Sequence, residues 1–160
     1  MNGTYAYGIS GSSIVGFYYD MDYGQHAFLY DGTSYTTLTP PGSSSATAYG
    51  VSGNMVVGTY ADANDNYAQK GFIFDGITYT TLDIPGSTHS ACLGVSGGDI
   101  VGYYNTADGN QHGFLMTPSG GGDVSPVPEV TSSFTLLGLI TGGLMMRRRR
   151  DNQASVAVAS

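Results

Sequence analysis

Two histidines stand at matching places in related strings, Gln25-His26-Ala27-Phe28-Leu29 and Gln111-His112-Gly113-Phe114-Leu115. Lys70 fills the corresponding place in Gln69-Lys70-Gly71-Phe72-Ile73. With Lys70 at the equivalent place between them, His26 and His112 are candidate ligand residues along a shared rim; the plainer alternative is a strand-edge residue with its tip in water. Three loops gather oxygen donors of the kind calcium takes: Asp20-Met21-Asp22, Asp62-Ala63-Asn64-Asp65-Asn66 and Asn105-Thr106-Ala107-Asp108-Gly109-Asn110. Their spacing does not fit the EF-hand loop, so they read as solvated hairpin loops and no metal site is assigned, with a calcium- or polysaccharide-binding module kept as the alternative function. Tyr18, Tyr19, Tyr60, Tyr103 and Tyr104 recur at similar places and could present flat rings to sugars, Tyr19 and Tyr104 foremost. Tyrosine is also an ordinary strand former. Cys92 stands where related strings have Ala6 and Ala48, which predicts a buried, inert thiol. A single Cys excludes an internal disulfide and, with three His, argues against a Cys/His zinc set. No Ser/His/Asp arrangement and no pair of acid/base carboxylates stands out, so the sequence predicts neither an enzyme nor a cofactor.

The elements that position these residues form a repeat. Ala6-Tyr7-Gly8-Ile9-Ser10-Gly11 recurs as Ala48-Tyr49-Gly50-Val51-Ser52-Gly53 and as Cys92-Leu93-Gly94-Val95-Ser96-Gly97. Ile14-Val15-Gly16, Val56-Val57-Gly58 and Ile100-Val101-Gly102 follow in step. Asp31-Gly32-Thr33-Ser34-Tyr35-Thr36-Thr37-Leu38 matches Asp75-Gly76-Ile77-Thr78-Tyr79-Thr80-Thr81-Leu82, and Pro41-Gly42-Ser43 matches Pro85-Gly86-Ser87. Many positions agree at one spacing, which marks an array of supersecondary units over residues 4–45, 46–89 and 90–117.

Each unit reads as four short strands, at 7–10, 14–19, 26–30 and 35–39 in the first, because β-branched and aromatic residues alternate with turn residues and no helical period is present. Asp31-Gly32 predicts a two-residue type I′ hairpin. Gly16, Gly58 and Gly102 fall inside strands, where glycine is costly unless a bulge or a neighbouring backbone needs the space. Strands such as 28–30 are apolar on both faces and must be covered on both sides. One small unit cannot do that alone, so the units stack. The expected fold is all-β: an incomplete, propeller-like array over residues 1–117, with a β-trefoil as the alternative. It offers about eleven strands, because Met116-Thr117-Pro118 loses the Asp-Gly turn that introduces the last strand of the other units.

Charge divides the chain in two. Residues 1–126 hold ten aspartates and one cation, Lys70, while the other four cations are consecutive: Arg147, Arg148, Arg149 and Arg150. A formal net charge of −7 leaves nothing to neutralise phosphates, so no nucleic-acid partner is expected.

Gln25-His26-Ala27-Phe28-Leu29-Tyr30-Asp31-Gly32, then Tyr35-Thr36-Thr37-Leu38 and Pro41-Gly42, resemble the HAF family of bacterial extracellular repeats, named for the His-Ala-Phe triplet. The second and third units carry Lys70-Gly71-Phe72 and His112-Gly113-Phe114 in its place. The resemblance covers most of residues 4–117 and implies an exported repeat protein without known catalysis.

Residues 118–129 read as a Gly/Ser/Pro linker that ends in Val127-Pro128-Glu129. Residues 134–146 carry no charge and run into the arginines. A helix over 130–150 is expected to be short for a membrane span, reaching about 25 Å from 130 to 146 against a bilayer core of about 30 Å, with the arginines snorkelling. The arginines mark the cytoplasmic end, leaving residues 1–126 on the opposite side. Gly138 and Gly142 form a Gly-xxx-Gly pair that would let a second helix approach. Together these parts resemble the PEP-CTERM sorting signal of Gram-negative bacteria. That resemblance implies recognition of Val127, Pro128 and Glu129 by an exosortase-type processing enzyme in the inner membrane, an envelope location, and display at the surface or in a matrix. Exopolysaccharide is then a candidate partner. Val130 stands where that motif has its second proline, and residues 151–160, an expected disordered tail, follow the arginines. No basic and apolar leader precedes Asn2-Gly3-Thr4, which predicts a start upstream of Met1 carrying the export signal and more repeats.

Overall fold

The structure, a computed structural model, describes residues 3–117 and 124–127. Among them every regular element is a strand. β1 (Thr4–Ser10), β2 (Ser13–Tyr19), β3 (Gln25–Tyr30) and β4 (Tyr35–Leu38) pair in that order as one antiparallel sheet. β5 (Ser43–Ser52), β6 (Met55–Asp62), β7 (Ala68–Phe74) and β8 (Tyr79–Leu82) form the second. β9 (Ser87–Ser96), β10 (Asp99–Thr106), β11 (Gln111–Met116) and β12 (Val124–Pro126) form the third. Each repeat is therefore one four-stranded meander. All described ladders lie within a unit, whereas a barrel shared by three repeats, as in a trefoil, needs ladders between units.

Two expectations are corrected. The array has twelve described strands, because Val124–Pro126 pairs with β11 as a fourth strand inside the stretch expected to be linker. Three residues at a sheet edge suffice for it, and an edge is where proline (Pro126 here) is tolerated. The Asp-Gly turns are also longer than expected. Tyr30 pairs with Tyr35, so four residues connect β3 to β4, and of Asp31 and Gly32 only the glycine has positive φ. Asp31 instead accepts hydrogen bonds from the backbone N–H groups of Thr33 and Ser34, and Asp75 does the same for Ile77 and Thr78. The aspartate shapes the loop through its side chain rather than through a left-handed backbone.

Glycine at a fixed strand position explains how each unit closes. Gly16, Gly58 and Gly102 pair with Ala6, Ala48 and Cys92, next to a bulge that leaves Tyr7, Tyr49 and Leu93 unpaired. The bulge pushes the first strand inward. A methyl on Gly16 would lie 1.8 Å from the Tyr5 carbonyl oxygen, on Gly58 2.1 Å from that of Thr47, and on Gly102 2.0 Å from that of Ala91. On Gly58 it would also meet the ring of Phe72, the cross-strand partner, at 2.7 Å. The phenylalanine thus lies on the space the missing side chain leaves, as expected of an aromatic paired with glycine in a sheet.

The sheets then pack face to face. β5 lies against β1, β2 and β3, and β9 lies against β5, β6 and β7. Val15, Ala27 and Leu38 of the first sheet bury themselves with Ala46, Ala48, Val51, Val56, Tyr60 and Phe72 of the second. Val57, Leu82 and Ile84 of the second do so with Cys92, Ile100 and Phe114 of the third. Successive units are joined by a Pro41-Gly42 turn, in which Ser43 N–H reaches the Pro40 carbonyl at 3.0 Å and Gly42 has a φ of 80°. Pro-Gly is the pair that a type II turn favours. The expected membrane helix, with Gly138, Gly142 and the arginines from Arg147 to Arg150, lies outside the described residues, as do Pro128, Glu129 and the 151–160 tail. No helix among the described residues is long and apolar enough to cross a membrane.

Gly58→Ala should lower unfolding free energy by about 3 kcal/mol, the upper end for forced overpacking, or prevent folding. Gly53→Ala, where φ is +59° but nothing stands within 4 Å, should cost about 1 kcal/mol. Urea denaturation measures both, and equal midpoints for the two variants would contradict the close-approach reading.

Candidate functional site

His26, Lys70 and His112 occupy one register, each opposite a tyrosine: Tyr18, Tyr60 and Tyr104. Each is held within its own sheet. His26 Nε2 donates to Asp20 Oδ2 at 2.7 Å, and its ring lies 5.3 Å from that of Tyr18. Lys70 Nζ donates to Asp62 Oδ2 at 3.0 Å and lies 2.9 Å from Asp65 Oδ2. The ring of His112 lies 5.2 Å from that of Tyr104. Tyr18 and Tyr60 are tied further to Thr37 and Thr81 through their hydroxyls, at 2.9 and 3.0 Å.

Tyr19 and Tyr104 are not counterparts. Tyr104 matches Tyr18 and Tyr60, whereas Tyr19 pairs with Gln25 one register further along and so points to the other face. Strand alternation, with a period of two, makes this difference decisive.

The oxygen-rich loops are engaged with themselves. Asp20 Oδ1 accepts from the N–H groups of Asp22 and Gly24, and Asp62 Oδ1 from that of Asn64. Asp108 accepts from Thr106, from the Asn110 N–H and from the Asn110 amide. Among the described residues no three His, Cys, Asp or Glu are placed to hold a metal ion. Donation to the ionised form holds several carboxyls below their ordinary range. The chief donor is His26 for Asp20, the Ser34 N–H for Asp31, Lys70 for Asp62, the Thr78 N–H for Asp75 and the Thr106 hydroxyl for Asp108. Cys92 is fully buried and its thiol is pushed up to about 12 by that burial, which makes it inert at neutral pH.

An aromatic surface lies along one rim, and of its tyrosines the sequence singled out Tyr19 and Tyr103 but not Tyr5, Tyr7 or Tyr49. Tyr5 stacks on Phe17 at 4.8 Å, Tyr19 meets Phe17 edge-on at 5.3 Å, and Tyr7 leans on Phe17 at 5.8 Å. Tyr7 also reaches across to Tyr49 of the second sheet at 5.3 Å. Burial, and then the neighbouring phenols of Tyr7 and Tyr103, push the Tyr49 phenol above its ordinary value, so the row extends towards the third sheet. Beside Tyr49 a hollow of about 140 Å³ is lined with Gln25, Thr47, Thr59 and Gln69. Tyr5 and Tyr7 are more than half exposed. Flat rings next to amides and hydroxyls are suited to stacking on a sugar ring while hydrogen-bonding its hydroxyls. The signal available in the sequence was the matching of Tyr7 with Tyr49, but simple alternation fails there because both sit at bulges.

The acid dependence of stability follows from the shifted carboxyls. The unfolded chain takes up protons first as pH falls through about 4, while the folded chain resists. The melting temperature should therefore be flat from about pH 8 to 5 and fall below about pH 4. Replacing Asp31 and Asp75 together by Asn should lower it at neutral pH and flatten its acid slope. A melting temperature that rises with acid would contradict this assignment.

Comparison with protein-family models, with curated proteins and with solved structures found no match to this chain.

Proposed function

We propose that the chain is an exported, non-enzymatic repeat protein of the cell surface or extracellular matrix, with a propeller-like array sorted through a PEP-CTERM-like tail. The order of parts carries this reading. The described array ends at Val127, whose N–H donates to the Gly113 carbonyl at 2.9 Å. Pro128 and Glu129 follow at once, then the charge-free stretch and the four arginines. Val127 serves both parts, as the last described residue on the third sheet and the first of the motif. The propeller-like description rests on three four-stranded meanders packed face to face in chain order. The self-engaged loop carboxylates support a scaffold rather than a catalyst.

In Gram-negative cells that carry an exosortase-type enzyme, the full chain should fractionate with the envelope and be processed. Glu129→Ala should accumulate the uncleaved precursor. Recovery of the array in the cytosol would overturn the reading.

The rim favours a second reading, in which the same protein contacts extracellular polysaccharide through Tyr7, Tyr49 and their neighbours. Loss of one stacking ring weakens such a contact by up to about tenfold. Tyr7→Ala and Tyr49→Ala should each lower glycan-array binding by that amount, and Tyr104→Ala, half-buried on the opposite face, should not. Uniform loss in all three would point to misfolding instead of a rim.

A further inference from the structure

The first and third sheets carry the two halves of one interface. Val15 and Val57 face the next sheet and are both 0% exposed, whereas Val101, their counterpart on the third sheet, is 46% exposed. Leu38 and Leu82 are 1% and 6% exposed, and Val127, which takes their place beside Gly113, is 46% exposed. Leu115, the counterpart of the half-buried Leu29 and Ile73, is exposed too. At the other end Ile9 is 72% exposed, where Val51 of the second sheet is 7% exposed against the first. Ala6 is likewise exposed where Ala48 and Cys92 are buried.

The backbone repeats the same asymmetry. A methyl on Gly8 would meet the Tyr49 carbonyl oxygen at 2.7 Å and Gly50 Cα at 3.3 Å. One on Gly50 would meet Gly94 Cα and the Val95 nitrogen, both at 3.2 Å. One on Gly94 would meet only Val101 of its own sheet. The first sheet also has a hollow of about 240 Å³ among Thr4, Tyr18, Phe28, Tyr35 and Thr37. The matching positions of the second sheet, Ala46, Tyr60 and Phe72, share a core with Leu38.

We propose that the third sheet of one molecule receives the first sheet of a second copy, head to tail, repeating a third time the packing that each chain already contains twice. Gly8 of the second copy then lies on Gly94, Ala6 on Gly113, and Val127 enters the hollow in the place Leu38 takes internally. The two internal interfaces name the occupant: a surface that fits this face, covered by no described residue, lies on the first sheet of the same chain. The contact is heterologous, so copies add in one direction, and two copies that close would make a six-sheet ring, within the usual range for propellers. The inference does not depend on export or sorting.

The test is sedimentation of the full chain in a mild detergent, with three variants. The wild type is expected to associate. Val101→Arg and Ile9→Arg each place an unpaired charge in the seam, and each should weaken association by about thirtyfold or more. An equimolar mixture of the two retains one intact pair of faces and should give a 1:1 dimer that grows no further. Gly94→Ala asks only the exposed Val101 side chain, 3.2 Å away, to give by a few tenths of an ångström, so it should keep a urea midpoint close to the wild type and still associate more weakly. A monomeric wild type would overturn the proposal. So would association unchanged by the variants, which would place the contact elsewhere, or loss in Val101→Arg alone, which would mean that two identical faces pair.

Discussion

Close backbone approach at glycine is the constraint on which the rest of this structure depends. A sheet of four short strands has too little area to bury two apolar faces unless its neighbour comes close, and a Cβ at Gly8 or Gly50 would hold the neighbour away. The bulge that frees Tyr7, Tyr49 and Leu93 bends the first strand of each unit towards the second, and Gly16, Gly58 and Gly102 provide the room for that bend. Two sets of glycines therefore act at right angles. One set closes each sheet on itself, and the other lets the sheets stack. Neither is a turn, and each would be unfavourable in a lone strand.

The two internal interfaces solve the same packing problem with different side chains. In the first, Ala27 and Ala48 both lie fully buried among the core residues. In the second, their counterparts are Gly71 and Cys92, and a methyl on Gly71 would lie 2.9 Å from the Cys92 sulfur. The larger thiol is accommodated because the opposite residue has lost its side chain, as dense cores require when volume is conserved across a contact. Polar groups follow a similar logic. The buried Ser90 hydroxyl takes the Gly71 N–H at 3.0 Å and donates to the Leu82 carbonyl at 3.1 Å, so it is satisfied by the neighbouring sheet alone. Tyr79 performs the equivalent service at the first interface by accepting the Thr39 N–H at 3.0 Å.

Repetition made much of this legible before any coordinates. The four-stranded pattern, the need to stack and the close-approach role of the in-strand glycines follow from positions that agree between copies, whereas the units expected at 4–45 and 46–89 differ from the sheets by three residues, because β5 and β9 already begin at Ser43 and Ser87. What escaped did so for local reasons. β12 has no sequence counterpart, since Val124–Pro126 shares neither the Asp-Gly loop nor the Tyr-Thr-Thr-Leu string of β4 and β8; only its position after β11 and the exposed edge there place it. The Asp31 and Asp75 loops were misjudged because an Asp-Gly pair supports two geometries, one set by backbone φ and one by side-chain capping. The tyrosine rim was hidden by the bulges, which break the alternation that assigns a residue to a face. Tyr19 and Tyr104 lie on equivalent strands, but the pairing register puts them on opposite faces.

The distribution of chemistry across the array follows from the same geometry. Stacking uses the sheet faces for cohesion, so groups able to meet anything outside the chain are confined to loops, rims and the two terminal faces. The loops are already engaged: their carboxylates bind the N–H groups that shape them, and Lys70 and His26 lock the ends of their hairpins. At the first rim the bulge releases Tyr7 from its ladder and leaves its ring more than half exposed beside Tyr5. The terminal faces keep apolar side chains that in the interior would be covered. A repeat protein of this kind does not need an evolved pocket to acquire partners. What the repeat leaves over here, among the described residues, is a row of phenols and two sheet faces that no described residue covers.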